Sequence, residues 1–414
     1  MKRYLILACA LVLCLTSPSL LRAQGGSNYS IFGIGDLRQT LGASFDGIAG
    51  TQLAVRSDYA VNLANPAAWG AVKSTRIQGG FRFNQQSVSN GSSTSSQNNG
   101  KLEGMATIFS IDTALGIGAS LGFYPFSSVN YALTTPVTVT TGDGRTINGE
   151  IDATGKGGIT AGYLGGSVRL ADNLSFGISG VALFGTVSSV LQTVLYSSES
   201  YNSINQSNDD FRGYGLKLGW MYSPFQNFTL GLAGSVYSDM NGSSELRYST
   251  IGTAELASDT TYESKFTTPM PSSLGIGASY KSGKFMFAAD AELQDFSSFT
   301  YRSGRETFRS TMRASFGVTR LASFAPGTAF SDRVAFSLGG GYQQLYYTIN
   351  GTPINEYYGS FGMQIPLGNG AMLDGAAMGG MRGTTGNGLV QELFGRFSVT
   401  ISIGEIWFKP FPRD

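Results

Sequence analysis

Ser120 stands in the run Gly118-Ala119-Ser120-Leu121-Gly122, which matches letter for letter the Gly-x-Ser-x-Gly pattern of serine hydrolases. In those enzymes the serine sits on a strand–turn–helix elbow and passes its proton to an imidazole. The 414-residue chain contains no His at all. That absence removes Ser-His-Asp and Cys-His triads, His-ligated zinc, and every barrel hydrolase that needs an imidazole near neutral pKa. The two cysteines, Cys9 and Cys14, lie in a leader segment, so the mature chain has no thiol for catalysis, a disulfide or a metal. Asp143, Asn148 and Glu150 offer oxygen ligands, but their spacing is not that of an EF-hand and reads as a solvated loop. The Gly-x-Gly pairs Gly116/Gly118 and Gly275/Gly277 lack the helix and acidic partner of a nucleotide site. Small residues facing a crowded interior explain them better. The chain therefore reads as a non-enzyme with no cofactor and no metal.

Asp290 and Glu292 carry more information. They alternate with Phe287, Ala289, Ala291 and Leu293, the period of a strand whose two faces meet different solvents. On a membrane strand both acids must point into the lumen, because charge facing lipid costs up to about 2–4 kcal/mol. Their expected partners are a lumenal Arg or a plug; the alternative is a place on a substrate path. The same alternation runs through Phe228–Val236, Val334–Gly339 and Phe397–Ile403.

Only 13% of residues are charged, where a soluble protein carries about 25%. Hydrophobic residues make up 42%, and Gly supplies 57 positions without the collagen period. Such a chain is neither disordered nor collagenous. After the leader no apolar run is long enough for a membrane helix, which leaves a closed barrel as the only other way to satisfy every backbone group in lipid. Fourteen strands are predicted, near 74–88, 101–111, 114–132, 156–170, 174–190, 211–223, 228–238, 270–281, 284–295, 309–324, 332–346, 356–366, 371–381 and 388–408. Long connections rich in Ser, Asn, Thr and Gly (Ser89–Gly100, Thr134–Gly155, Leu191–Asp210, Asn241–Thr268) alternate with tight turns such as Ala171-Asp172-Asn173 and Ser282-Gly283. Outer-membrane barrels have this asymmetry, with long external loops and short periplasmic turns. The last strand ends on Trp407 and Phe408, rings suited to the lipid interface.

Residues 1–23 have the layout of a secretory signal: Lys2 and Arg3, an apolar run from Tyr4 to Leu15, a break at Pro18 and a small residue, Ala23, before Gln24. Removing Lys2, Arg3 and Arg22 from the 28 basic residues leaves 25 against 27 acidic ones, a net charge of about −2. Nothing basic enough for nucleic acid remains. Residues 24–72 do not follow the strand repeat. Fourteen strands enclose more space than their own side chains fill, and this segment has the size of a plug.

Three stretches carry a family likeness: Ser57–Val72 with Asn65, Pro66 and Ala67; Thr268–Tyr280 followed by Lys284–Phe296; and the ending ISIGEIWF. With the leader and strand count, the chain resembles the FadL/TodX family of outer-membrane transporters for long-chain fatty acids and other hydrophobic molecules. The resemblance implies an N-terminal hatch in which Asn65, Pro66 and Ala67 belong to the hatch sequence. It also implies an inward kink of the third strand, where Pro125 and Gly122 would border a lateral opening. The expectation is an all-β transmembrane antiparallel barrel of about 14 strands (73–414) behind a hatch (24–72), in the outer membrane of a Gram-negative-type bacterium. Its partners would be outer-membrane lipid and a small hydrophobic ligand, passively admitted. The alternatives are a barrel scaffold or secretion partner, and a general porin.

Overall fold

The computed structural model describes residues 25–38, 40–197, 202–251, 256–301, 306–368 and 370–407. The leader and Phe408 lie outside the described residues. Fourteen antiparallel barrel strands follow one another: β1 (Thr75–Ser89), β2 (Thr94–Asp112), β3 (Ile117–Pro125 and Ser127–Thr140), β4 (Thr146–Ala171), β5 (Leu174–Leu195), β6 (Asn202–Phe225) and β7 (Phe228–Tyr237 and Met240–Ile251). The second half comprises β8 (Leu256–Thr268 and Ser273–Ser282), β9 (Phe285–Gln294), β10 (Glu306–Phe308 and Thr311–Arg320), β11 (Ala335–Ile349), β12 (Thr352–Gly368), β13 (Ala371–Gly383) and β14 (Gln391–Glu405). Each pairs with the next, and β14 closes on β1 from Gln391–Ser89 to Glu405–Thr75. A further two-residue strand, Asp36–Leu37, pairs with Ser127 and Ser128 of β3.

The wall is inverted relative to a soluble sheet. On β14, Leu393, Phe397, Val399, Ile401 and Ile403 are exposed, while Glu392, Ser398, Thr400 and Ser402 are buried. On β9, Phe285, Phe287 and Leu293 point outward, and Met286, Ala288 and Asp290 inward. Aliphatic and aromatic side chains on the outer face and polar ones within are what a hydrocarbon solvent selects.

All fourteen predicted strands are present, but four predicted loops are not loops. Ser89–Gly100, Thr134–Gly155, Leu191–Asp210 and Asn241–Thr268 continue their strands far past the barrel, with β3–β4 paired to Thr140–Thr146 and β7–β8 to Ile251–Leu256. Their Ser, Thr and Asn residues hide the apolar alternation, because above the membrane the outer face meets water. Thr keeps a high strand propensity and the cross-strand ladder does the rest. On one such hairpin the Arg247 guanidinium donates to both oxygens of Asp259, at 2.9 and 2.5 Å, and holds its carboxyl below the usual carboxylate range.

Two connections depart from the simple pattern. After β9 the chain folds back over the lumen, burying Phe296, Phe299 and Tyr301. Phe296 stacks on Tyr346 at 4.4 Å, and the Tyr301 hydroxyl donates to Asp209 at 2.5 Å. At the opposite, tight-turn end, β10 and β11 are joined by the long segment 321–334, tied by an ion pair between Arg320 and Asp332.

A cysteine placed at Asp143, on the tip of the β3–β4 hairpin, is expected to react with an impermeant maleimide on intact cells. One placed at Asp172, in the β4–β5 turn, is expected to stay protected until the outer membrane is opened. The reverse labelling order would turn the barrel upside down.

Candidate functional site

Residues 25–72 lie against inward side chains of strands all around the barrel, and short polar residues shape them locally. Asn65 caps the 3-10 helix Pro66–Ala71: its Oδ1 accepts from the Ala67 N–H at 3.1 Å, and Pro66 occupies the first helical position, where no donor is needed. Its Nδ2 donates to the carbonyls of Leu53 (2.7 Å) and of Trp220 on β6 (3.0 Å). Asn62 works beside it, donating from Nδ2 to the Gln52 and Val55 carbonyls and receiving the Asn65 N–H on Oδ1. Both amides are fully used and buried, which a low-dielectric interior demands.

The wall makes room for this backbone with glycine. A Cβ at Gly177 of β5 would stand 2.4 Å from the Ala67 nitrogen, and one at Gly219 of β6 would stand 2.1 Å from Asn65 Oδ1. Gly118, Gly231, Gly277, Gly317 and Gly339 are pressed in the same way by Trp69, Leu53, Leu53, Ile48 and Ala49. Gly118 and Gly277, members of the two Gly-x-Gly pairs, thus have their use here. Ser120 of the hydrolase-like pattern is buried in β3, donating to the Thr107 carbonyl and sharing a bond with the Tyr163 hydroxyl.

Charge fastens the segment to the wall. Arg82 on β1 lies between Asp46 (2.5 Å) and Glu103 of β2 (2.6 Å), and Arg38 reaches Glu103 at 3.3 Å. Arg382 on β13 joins Glu356 (2.5 Å) and Asp36 (2.7 Å), and Arg396 adds a second cation to Glu356 at 3.2 Å. Asp290 accepts the N–H groups of Gln52 (2.6 Å) and Leu53 (2.9 Å) on one oxygen. Glu292 pairs with Arg313 at 3.1 Å, and Arg313 also donates to the Gly50 carbonyl. Both acids therefore face inward, one bound to the N-terminal segment and the other to a lumenal Arg. Inside this network lies a polar cavity of about 110 Å³ bordered by Arg38, Arg82, Arg313 and Arg382.

The ladder between β2 and β3 stops short. β2 and β3 pair from Asp112–Ile117 to Met105–Phe123, and no pairing between them is seen beyond. Two residue types produce the parting. On β2 the ladder with β1 shifts at Glu103, next to Gly104 with φ 107°, where a Cβ would strike the Phe123 carbonyl at 2.2 Å. On β3 the Phe126 N–H donates to Ile159 of β4, so the nitrogen of the preceding Pro125 faces the other way, toward β2, and carries no hydrogen. Pro125 is the last residue before the break in β3, and Gly122, opposite Ala106, lies one residue inside the paired part. In place of β2, Asp36–Leu37 pairs with Ser127–Ser128, and Lys101 of β2 spans the seam to the Ser128 hydroxyl at 2.7 Å.

Behind the seam the interior changes character. Tyr124, Phe126, Val129 and Tyr131 of β3 join Ile159, Leu183, Phe211 and the folded-back Phe296 in one buried apolar cluster. Apolar residues of this cluster line the lumen along β3–β7 and are joined by Leu345, Tyr346 and Tyr347 of β11, while ion pairs involve β1, β2, β9, β10 and β12–β14. Sequence reasoning missed the Arg82 and Arg382 clusters and the aromatic lid, and of the glycine contacts it anticipated those of Gly118, Gly275 and Gly277 as small residues facing a crowded interior. The inward phase of Arg82 and Glu103 was readable from alternation, but which acids they meet depends on the path of residues 25–72.

A family model described as BamG matches residues 1–411. No match by sequence is found among curated proteins. Solved structures share the fold at low identity. The CymD monoaromatic hydrocarbon channel superposes with a TM-score of 0.60 at 13% identity, over 89% of this chain and 98% of its own. The toluene transporter TbuX of Ralstonia pickettii gives 0.60 at 16%, over 88% and 98%. A FadL homologue of Pseudomonas aeruginosa gives 0.61 at 12%, over 90% and 100%.

Replacing Arg82 with Met is expected to leave Asp46 and Glu103 buried beside a neutral chain, at a cost of about 3–5 kcal/mol. Asn65→Ala removes two buried donors and a cap, each worth about 1 kcal/mol. Both variants should assemble as barrels, yet hydrogen exchange across 40–70 should quicken by orders of magnitude; protection equal to wild type would refute these roles.

Proposed function

The chain belongs to the BamG family, and from its outer-membrane barrel we propose passive admission of small hydrophobic molecules, with residues 24–72 acting as a hatch. Among the solved structures that share its fold are a monoaromatic hydrocarbon channel and a toluene transporter, and long-chain fatty acids are the further cargo that the sequence resemblance suggests. The observation that carries the reading is the unpaired stretch between β2 and β3 with an apolar cluster directly behind it. An apolar solute gains about 25 cal/mol for each Å² it hides from water. It would enter among the aromatic side chains on the β3–β7 side and leave through the seam into lipid, near Gly122 and Pro125, without crossing water. No step requires an energy source. In this conformation the aromatic lid and the hatch close the path, so solute passage requires side-chain displacement on the apolar side. A porin reading has less support, because the central cavity of about 110 Å³ is bordered by paired charges and no wide wet channel is present among the described residues.

A second reading, the barrel as scaffold for another protein, draws on the tall hairpins of β3–β8. They form an upright antiparallel sheet whose outer strands, Ser127–Thr140 and Leu256–Thr268, each have one neighbour along most of their length. Pro136, which can donate no ladder bond, sits on one of these edges.

Pro125→Val supplies an N–H toward β2 at the seam. We expect a several-fold slower uptake of a fluorescent fatty acid by cells carrying the variant, with an unchanged yield of folded barrel. Uptake at the wild-type rate would exclude the seam as exit. Deleting 25–72 should leave a barrel that passes small polar solutes, and unaltered single-channel conductance would exclude the hatch.

A further inference from the structure

The tight-turn end of the barrel holds two adjoining cavities that the route above does not use. One, of about 300 Å³, lies between residues 43–59 and the long β10–β11 connection, and is lined by Phe45, Ile48, Val55, Leu321 and Phe324. The other, of about 440 Å³, opens among the β4–β5 and β6–β7 turns and is lined mainly by polar groups such as Asn173, Ser223 and Asn227. Arg56, Lys281 and Met286 border both. The first has the size at which pockets begin to hold drug-sized ligands.

Arg56 is the unusual member. Its Nε is buried and has no hydrogen-bond partner, and no ion pair of its side chain is seen among the described residues. A buried guanidinium donor left unpaired is costly. The acids nearby do not serve it: Asp58 is engaged by Lys73 at 3.8 Å, and Asp172 lies at the outer rim. Arg169 adds a third cation to its surroundings. The positive charge therefore stands between an apolar chamber and a more polar one, with no protein partner for its Nε.

We propose that these cavities form a binding site for a small amphiphilic anion. Its apolar body lies against Phe45, Ile48, Leu321 and Phe324, and its single anionic group lies between Arg56 and Lys281. The volume of about 300 Å³ fits one apolar chain of roughly ten carbons better than a two-chain lipid. The guanidinium would donate from its unpartnered Nε to the head group in a charge-assisted contact. The site extends the transport reading by giving the tight-turn end a receiving position for solutes that carry a negative charge, and it rests on that reading only for where the ligand comes from.

The test uses the full-length mature barrel in lipid nanodiscs and a decanoate bearing a mid-chain diazirine, with the matching alcohol as control. After illumination, peptides are mapped by mass spectrometry. Decanoate should label residues 43–56 and 319–324, and the double variant Arg56→Gln/Lys281→Gln should lower that labelling by about tenfold, the equivalent of one charged contact. Labelling by the alcohol should be weaker and the same in both proteins. Should the double variant fail to give a folded, heat-modifiable band, Arg56→Gln set against the charge-keeping Arg56→Lys reads the same contact. Equal labelling by acid and alcohol, or labelling confined to lipid-facing positions such as Phe285 and Phe287, would overturn the site and identify membrane-dissolved probe instead. Because no transport step is involved, failed uptake with intact labelling would count against the importer and leave the pocket standing.

Discussion

A wall of fourteen paired strands encloses more volume than its own inward side chains can occupy, and the arrangement of this molecule answers that constraint. Water alone could fill the space, but then buried wall charges would need no partners of matching geometry. Here Arg82 meets Asp46, Arg382 meets Asp36 and Asp290 meets two backbone N–H groups, each contact joining the wall to residues 25–72. Buried ion pairs of this kind add little net stability over an apolar core. They do penalise every wrong docking of the segment, since a shifted register leaves a charge unpaired in a low-dielectric interior. The proposed hatch is thus held by specificity as much as by energy.

The glycines complete the same argument from the steric side. A segment with little regular structure exposes its carbonyls and N–H groups, and these must approach the wall closely to find partners. A Cβ at Gly177 or Gly231 would stand 2.4 or 2.0 Å from that backbone, and one at Gly219 would stand 2.1 Å from the Asn65 amide oxygen, so the polar contacts and the small residues are two halves of one fit. The high glycine content of the chain, which first reads as a weak compositional oddity, has part of its cause here.

How much of this could be read from residue order differs by element, for physical reasons. The strands were legible because lipid outside and polar lumen inside impose a clean period of two, as on Phe285–Gln294. Asp290 and Glu292 were legible for the same reason: a charge on such a strand has one permitted direction. The tall hairpins were not, because above the membrane their outer face lost the apolar signal while the strand pairing continued. Arg82 and its two carboxylates are 36 and 21 residues apart in the chain, and no local pattern announces such a meeting. Asn65 was marked out by a family likeness, yet Asn62, which holds the same turn from the other side, was not. The aromatic lid 295–301 has no signature of its own in the sequence, since Phe296 and Phe299 carry no periodicity that separates a folded-in loop from an interfacial girdle.

The seam shows how two modest local rules combine into a global feature. A bulge at Gly104 bends β2 away, and Pro125 withholds the one donor that would have tied β3 to it, so neither strand alone accounts for the parting. Elsewhere an unpaired strand edge within a membrane wall would expose backbone to lipid at several kcal/mol for each group. Here Asp36–Leu37, the Lys101 ammonium and the Gln97 amide reach Ser127–Ala132 from within and take over some of those contacts. The exposure is thereby reduced without the two strands being joined. A wall closed by side chains and a borrowed dipeptide can part by the breaking of a few polar bonds, whereas a continuous ladder would have to lose one for every residue. That difference is what makes the β2–β3 line suited to the proposed exit.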